Sequence, residues 1–253
     1  MQIVLLTALG VGSATVLGAL LGFIFKGATH KFSDIVLSFA AGVMLSAAVI
    51  GLILPSLEKG GRLSLLITVA GVLCGALCIN LVDKLVPHLH RITGTGNEEV
   101  HTKRNEQLNK VLLFVIAIAI HNLPEGIAAG VGFGAGNNAE AMTIAFGIAL
   151  QNVPEGMVII APMLATGMSR GRTLVIAMFT GVIEVVGTLL GFFAVSLSEA
   201  ILPFALAFAG GTMLYVISDE MIPETHAHGN ESGATYSLIA GFLLMLVFDV
   251  LLG

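Results

Sequence analysis

The sequence predicts an all-α membrane protein that crosses the bilayer several times. Of its 253 residues, 56% are hydrophobic and only 11% are charged, whereas a soluble domain carries about 25% charged residues. Such a chain cannot cover a soluble globule with polar groups, because Lys, Arg, Asp and Glu are the residues least often buried. Apolar stretches of about 20 residues recur along the chain, as expected of membrane-spanning helices. The composition therefore excludes a soluble enzyme, a disordered chain and a nucleic-acid binder with a basic face.

Eight of these apolar stretches are long enough to span a bilayer. The breaks between them are short and polar, apart from a break at 87–109 that contains much of the charge and three histidines. We expect one transmembrane domain, residues 1–253, with eight helices. The predicted spans are 2–25, 34–55, 63–86, 110–132, 139–163, 172–197, 201–222 and 236–252.

The Lys and Arg residues indicate the orientation. Nine of the 11 lie near the loops that join spans 1–2, 3–4, 5–6 and 7–8, and two lie on the opposite side. Cytoplasmic loops carry the excess of Lys and Arg. We therefore expect a multi-pass protein of the inner cell membrane, with both termini on the periplasmic side and the 87–109 loop in the cytoplasm. The apolar N-terminus lacks a basic n-region, which favours a retained first span over a cleaved signal.

Spans 1–3 recur as spans 6–8. Residues 18–23 (GALLGF) align with 187–192 (GTLLGF), and 39–45 (FAAGVML) align with 208–214 (FAGGTML), both at one and the same offset. The third and eighth spans match only weakly. Because the two copies are an odd number of helices apart, they point in opposite directions. The sequence thus predicts an inverted-topology repeat, and transporters with such repeats bind substrate near the bilayer midplane.

Spans 4 and 5 lie between the two copies and share a Pro-Glu-Gly motif. Residues 121–126 read HNLPEG and residues 151–156 read QNVPEG. Both motifs begin 11 or 12 residues into their spans, about 17 Å deep and near the middle of a core of about 30 Å. Pro124 and Pro154 each remove a backbone donor and displace the carbonyl four residues earlier. We therefore expect a central pair of Pro-kinked helices whose freed carbonyls face a protein-lined cavity.

The polar residues at this depth point to a cation. Glu125, Glu155 and Glu184 all lie near mid-span with no Lys or Arg at that depth, and an ionised carboxylate there costs about 3 kcal/mol. The three must therefore be neutral or bind a cation. Imidazole with carboxylate suits Zn, Fe, Ni or Mn, and amides can complete the shell. The candidate metal ligands are Met44, His121, Asn122, Glu125, Gln151, Asn152, Glu155 and Glu184, although core packing explains Met44 taken alone.

Two other classes of function compete with metal transport. An intramembrane metalloprotease needs His-Glu-x-x-His on a helix, but His121 has no second histidine in any span. A proton-coupled transporter of an organic solute would also use midplane glutamates. Its pocket would usually contain aromatic or Arg side chains, and no aromatic residue lies within three positions of either Pro-Glu pair. Both alternatives remain open from the residues alone, although each fits them less well than a metal-binding membrane protein that is not an enzyme.

The paired motif resembles that of the Zrt/Irt-like (ZIP) family of divalent-metal transporters, most closely its bacterial, GufA-like branch. The resemblance covers nearly the whole chain, including the eight spans and the histidine-bearing loop. It implies import of Zn2+, or of Cd2+, Fe2+, Mn2+, Co2+ or Ni2+, into the cytoplasm by alternating access. The expected partners are divalent metal ions and the lipid bilayer, with no nucleic acid, and a homodimer is a candidate assembly.

The resemblance also implies a binuclear site and a release path. One metal would be held by His121, Glu125, Gln151 and Glu155 with Met44 nearby, and the second by Asn122, Glu125, Asn152, Glu155 and Glu184. Many members have His where this chain has Gln151, which leaves the metal preference open. The residues implied in release to the cytoplasm are Asp83, His88, His90, Asp219, Glu220, His226 and His228.

Overall fold

The computed structural model describes residues 1–25, 29–92, 102–134 and 138–252, and in these residues it contains helices and no strand. The helices pack side by side into a bundle. They are α1 (Gln2–Ile24), α2 (His30–Ser46), α3 (Leu54–Lys59), α4 (Ser64–Ile92), α5 (Thr102–Gly134), α6 (Asn138–Val158), α7 (Ile160–Ala165), α8 (Arg170–Leu197), α9 (Leu202–Val216), α10 (Ile222–Thr225) and α11 (Glu231–Leu252).

Seven segments of the described chain are long and apolar enough to cross a bilayer, which confirms an all-helical, multi-pass membrane protein. They correspond to predicted spans 1–3 and 5–8. The predicted fourth span, 110–132, lies within the helix α5, and many side chains in the first half of α5 are outside the described part. The seven segments are Gln2–Ile24, His30–Lys59, Gly61–Val82, Ala141–Ala165, Arg170–Ser196, Leu202–Thr225 and Glu231–Leu251.

Two of these segments contain a π-helical turn that the sequence did not predict. Ala47–Ile53 joins α2 to α3, and Ile217–Met221 joins α9 to α10. A proline follows each turn, Pro55 in α3 and Pro223 in α10. Proline cannot donate a backbone hydrogen bond, and its ring crowds the carbonyl four residues earlier. The wider π turn relieves that crowding, so each segment continues as a helix past its proline. Such turns often mark functional sites.

The two motif helices continue through their prolines. Pro124 lies inside α5 and Pro154 inside α6. Helix α6 ends at Val158, and the short helix α7 begins after Ile159. The motif side chains therefore project from two continuous helices that pack against each other, and the predicted kink at each proline stays a prediction.

Glycine residues bring the motif helices close to α8 and α1. A Cβ atom on Gly126 of α5 would collide with the carbonyl of Glu184 on α8. A Cβ atom on Gly156 of α6 would collide in the same way with the carbonyl of Thr15 on α1. Small residues at such crossings let helix backbones approach in a membrane. This close approach places α1 and α8 directly against the two motifs.

Candidate metal centre

The two motifs place six polar side chains in the interior of the bundle. Each of them is buried, as is the carboxyl group of Glu184 on α8. Glutamate is almost never fully buried unless it is paired, so three buried glutamates need partners. The six motif side chains are His121, Asn122 and Glu125 on α5, and Gln151, Asn152 and Glu155 on α6.

The two asparagines are fixed in orientation by donating hydrogen bonds to helix backbone. Asn122 donates from Nδ2 to the carbonyl of Thr180 on α8, and Asn152 donates to the carbonyl of Val11 on α1, each at 3.3 Å. Both amide oxygens remain without a hydrogen-bond partner among the described residues. The structure therefore presents two buried amide oxygens that are free to accept.

Glu125 and Gln151 add further unpartnered atoms. Both carboxylate oxygens of Glu125 and both amide atoms of Gln151 are buried, and none makes a hydrogen bond within the described chain. Roughly 90% or more of buried polar groups in proteins have a partner. Carboxylate and amide oxygens of this kind are satisfied by a cation, a proton or water. The oxygen atoms of Glu125 and Gln151 are therefore candidate acceptors for a cation.

Glu184, in contrast, already has two donors. Thr15 donates from Oγ1 to Oε2 at 3.3 Å, and Asn152 donates from Nδ2 to Oε1. Sequence reasoning missed Thr15. The signal was present, because the offset of the predicted repeat pairs position 15 with position 184.

His121 contacts a residue that the sequence assigned elsewhere. Its Nε2 lies 2.8 Å from Oε1 of Glu220, in the π turn Ile217–Met221. The sequence predicted His121 at the midplane and Glu220 in the release path. The structure places the two in direct contact. The polar side chains of the motif on α5 are therefore connected to the π turn that follows α9.

A cavity of about 390 Å3 lies against this set. His121 and five carboxyl groups line it, and no Lys or Arg is among its described lining residues. Clefts lined by one sign of charge concentrate ions of the opposite sign, so the cavity attracts cations. Sequence reasoning missed one of the five, Glu224, although Pro223-Glu224 repeats the Pro-Glu pair of the motifs. The five are Glu125, Glu155, Asp219, Glu220 and Glu224.

The side chains do not converge into a ready-made metal site. Among the residues that the structure describes, no three His, Cys, Asp or Glu side chains are grouped so that they could hold one metal ion. His121 is engaged with Glu220, and Glu184 with Asn152 and Thr15. Met44 is buried among apolar residues of the core. Ligand binding by His121 and Glu184 would therefore require them to exchange these partners for the cation.

The predicted release residues differ in where the structure places them. The side chains of Asp83, His88 and His90 lie outside the described part of the chain. Asp219 and Glu220 line the cavity.

The other two release residues are histidines with different surroundings. His226 has both ring nitrogens engaged, Nδ1 at 2.8 Å from the Ile222 carbonyl and Nε2 at 3.1 Å from the Thr235 hydroxyl. His228 instead has Nδ1 at 3.0 Å from Oδ1 of Asp34. Among the described residues, Nε2 of His228 has no hydrogen-bond partner, in contrast to Nε2 of His226.

Comparison with known proteins adds an independent line of evidence. The family model described as ZIP Zinc transporter matches residues 92–249. The zinc transporter GufA of Myxococcus xanthus is 41% identical over 98% of this chain and 98% of its own length. The zinc transporter ZIPB of Bordetella bronchiseptica is 37% identical over 95% of this chain and 78% of its own. The human zinc transporter ZIP11 is 30% identical over 94% of each chain.

Proposed function

The chain belongs to the ZIP family of zinc transporters, and we propose that it carries zinc ions across the membrane into the cytoplasm. One observation in the structure supports this most directly. Buried oxygen atoms of Asn122, Glu125, Gln151 and Asn152 have no hydrogen-bond partner among the described residues, and Glu125 lines a cavity rich in carboxyl groups. A desolvated cation can bind several such acceptor oxygens directly. An organic solute would have to present hydrogen-bond donor groups to the same oxygens.

The proposed site holds two metal ions that share Glu125 and Glu155. His121 and Gln151 complete the first position, near Met44. Asn122, Asn152 and Glu184 complete the second. The donor types support a borderline metal such as zinc, since imidazole and carboxylate together suit Zn better than Mg or Ca. Cd2+, Fe2+, Mn2+, Co2+ and Ni2+ are the other substrates to be tested.

An inverted repeat, with alternating access to the site, is part of this proposal. The hydrogen bond from Asn122 ends at Thr180 and that from Asn152 ends at Val11. These two acceptors are separated by the same offset as the aligned blocks of the repeat. Reciprocal contacts of this kind are expected where two copies are related by a twofold axis.

A direct contact between α1 and α8 supports the same relation. A Cβ atom on Gly12 would meet the carbonyl of Gly181, and a Cβ atom on Gly181 would meet the carbonyl of Gly12. The repeat offset also relates these two glycines to each other. The pair would lie on the twofold axis of the repeat.

The proposed topology has eight spans, with α5 as the fourth and both termini on the outer side. The cavity at His121 extends along Asp219, Glu220 and Glu224 towards the connection between α10 and α11. The Lys and Arg distribution supports a cytoplasmic location for that connection. We therefore propose that zinc leaves the site past these three carboxyl groups.

The test is zinc uptake by proteoliposomes that contain purified variants. We expect Glu125→Ala and His121→Ala to reduce uptake of radioactive zinc to the level of empty vesicles, because each removes a ligand of the first metal position. Glu58→Gln is the control, since Glu58 is an exposed carboxylate at the end of α3 and should transport normally. Normal uptake by both Glu125→Ala and His121→Ala would refute the proposal.

A further inference from the structure

Two histidines and a buried aspartate meet at the start of α2. The imidazole rings of His30 and His228 stack with centroids 4.7 Å apart and planes 21° apart. Nδ1 of His228 lies 3.0 Å from Oδ1 of Asp34. Asp34 is only 3% exposed, and its other carboxylate oxygen has no hydrogen-bond partner among the described residues. None of these contacts was predicted from the sequence.

This group lies beside the mouth of the acidic cavity. Leu37, one helical turn after Asp34 on α2, lines the cavity. Glu224 on α10 also lines it, and the chain reaches His228 four residues later. The group is therefore on the proposed exit side, next to the carboxyl groups past which zinc would leave.

The contact between His228 and Asp34 has the form of an outer-sphere contact at a metal site. A histidine that binds a metal through one ring nitrogen usually donates its other N–H to a carboxylate, which fixes the tautomer and orients the ring. Here Asp34 accepts from Nδ1 of His228, which leaves the lone pair on Nε2. His30 adds a second imidazole in contact with the first, and its side chain is exposed and can rotate.

We propose that His30 and His228 bind a divalent transition-metal ion at the cavity mouth, with Asp34 orienting His228 as a positioning residue. Water fills the remaining coordination positions. Imidazole ligands favour Zn, Cu, Ni and Co over Mg and Ca. Two protein ligands are fewer than the usual three or four of a zinc site, so the site binds and releases its ion readily. That this ion is the one leaving the cavity rests on the proposed function, whereas the site itself does not.

His226 supplies a matched control in the same connection. Both of its ring nitrogens are held by protein groups, the Ile222 carbonyl and the Thr235 hydroxyl. It therefore has no free nitrogen for a metal, although it is only two residues from His228.

The experiment counts zinc ions bound to full-length protein in detergent, by equilibrium dialysis followed by elemental analysis. All variants carry Glu125→Ala, which disables the proposed midplane site. We expect His30→Gln and His228→Gln each to lose one zinc ion per chain, and His226→Gln to lose none. Glutamine at position 228 can still donate to Asp34, so a purely structural contact would be kept while the imidazole ligand is lost.

Two results would overturn the site. One is an unchanged zinc count in both His30→Gln and His228→Gln. The other is an equal loss in all three variants, which would indicate a general disturbance of the α10–α11 connection. If His228→Gln does not fold, His30→Gln decides alone, because its side chain is exposed. The count does not depend on transport, so an absence of zinc uptake by the unmodified protein would refute the proposed function and leave this result standing.

Discussion

The hydroxyl of Thr15 donates a hydrogen bond to the carboxylate of Glu184, with 3.3 Å between Oγ1 and Oε2. Both residues are buried, on α1 and α8 respectively. Positions 15 and 184 are separated by the offset that relates the two copies of the predicted repeat. One copy therefore contributes a carboxylate to the proposed site, and the equivalent residue of the other copy orients that carboxylate.

Removal of this hydrogen bond should weaken zinc binding at the second metal position. We expect Thr15→Val, which keeps the side-chain shape, to raise the KM for zinc uptake roughly tenfold, since a hydrogen bond to a charged group contributes about 1.5 kcal/mol. Thr15→Ser retains the hydroxyl and should transport as the unmodified protein does. Equal KM values for Thr15→Val and Thr15→Ser would show that the hydroxyl does not position Glu184.

The close approach of α5 to α8 should make Gly126 intolerant of any side chain. A Cβ atom there would collide with the carbonyl of Glu184, so we expect Gly126→Ala to lower the free energy of unfolding by about 1–3 kcal/mol. The measurement is thermal unfolding in detergent. Gly10→Ala is the control, because a Cβ atom on Gly10 meets nothing within 4 Å. A melting temperature for Gly126→Ala as high as that of Gly10→Ala would contradict the packing described here.

The sequence could predict the features that depend on composition and local spacing. The lengths of apolar stretches located seven of the eight candidate spans to within about five residues, and the His-Asn-x-Pro-Glu-Gly spacing identified side chains that the structure buries. The contact between His121 and Glu220 could not be predicted. It depends on the π turn Ile217–Met221, which rotates the following residues relative to a regular α-helix.

Other contacts were missed because they join residues that are far apart in the sequence and belong to no motif. Asp34 and His228 are 194 residues apart, and neither the start of α2 nor the α10–α11 connection carries a motif. Thr15 is a common residue in an apolar helix, and only alignment at the repeat offset relates it to Glu184. Contacts between distant elements depend on packing, and hydrophobic periodicity alone does not determine packing.

The contact between Glu220 and His121 should affect both the binding of the ion and its release. Glu220 competes with the metal for Nε2 of His121, and it also offers the next carboxylate along the cavity. We expect Glu220→Gln to lower both the KM and the maximal rate of zinc uptake by about threefold, since a hydrogen bond contributes about 1 kcal/mol. Initial rates in proteoliposomes over a range of zinc concentrations measure both values.

Glu231→Gln is the control for that experiment, because it removes an exposed carboxylate at the start of α11 without touching the cavity. An unchanged maximal rate in Glu220→Gln would rule out a role for Glu220 in release. A raised KM would instead make Glu220 a ligand in the binding step.

The amide of Gln151 should determine which metal the first position prefers. Gln151 is fully buried, and its amide atoms make no hydrogen bond within the described residues. Replacing an amide oxygen with an imidazole nitrogen favours zinc over manganese, because Mn prefers oxygen ligands. We expect Gln151→His to raise the ratio of zinc to manganese uptake by at least about tenfold, a scale at which even outer-sphere partners change metal affinity.

The measurement is competition uptake in which both metals are present outside the same vesicles. Gln151→Leu is the matched control, since it removes the amide without adding an imidazole and should reduce uptake of both metals together. If Gln151→His and the unmodified protein show the same ratio, position 151 does not contact the transported ion, and Gln151 is not a ligand of the first metal position.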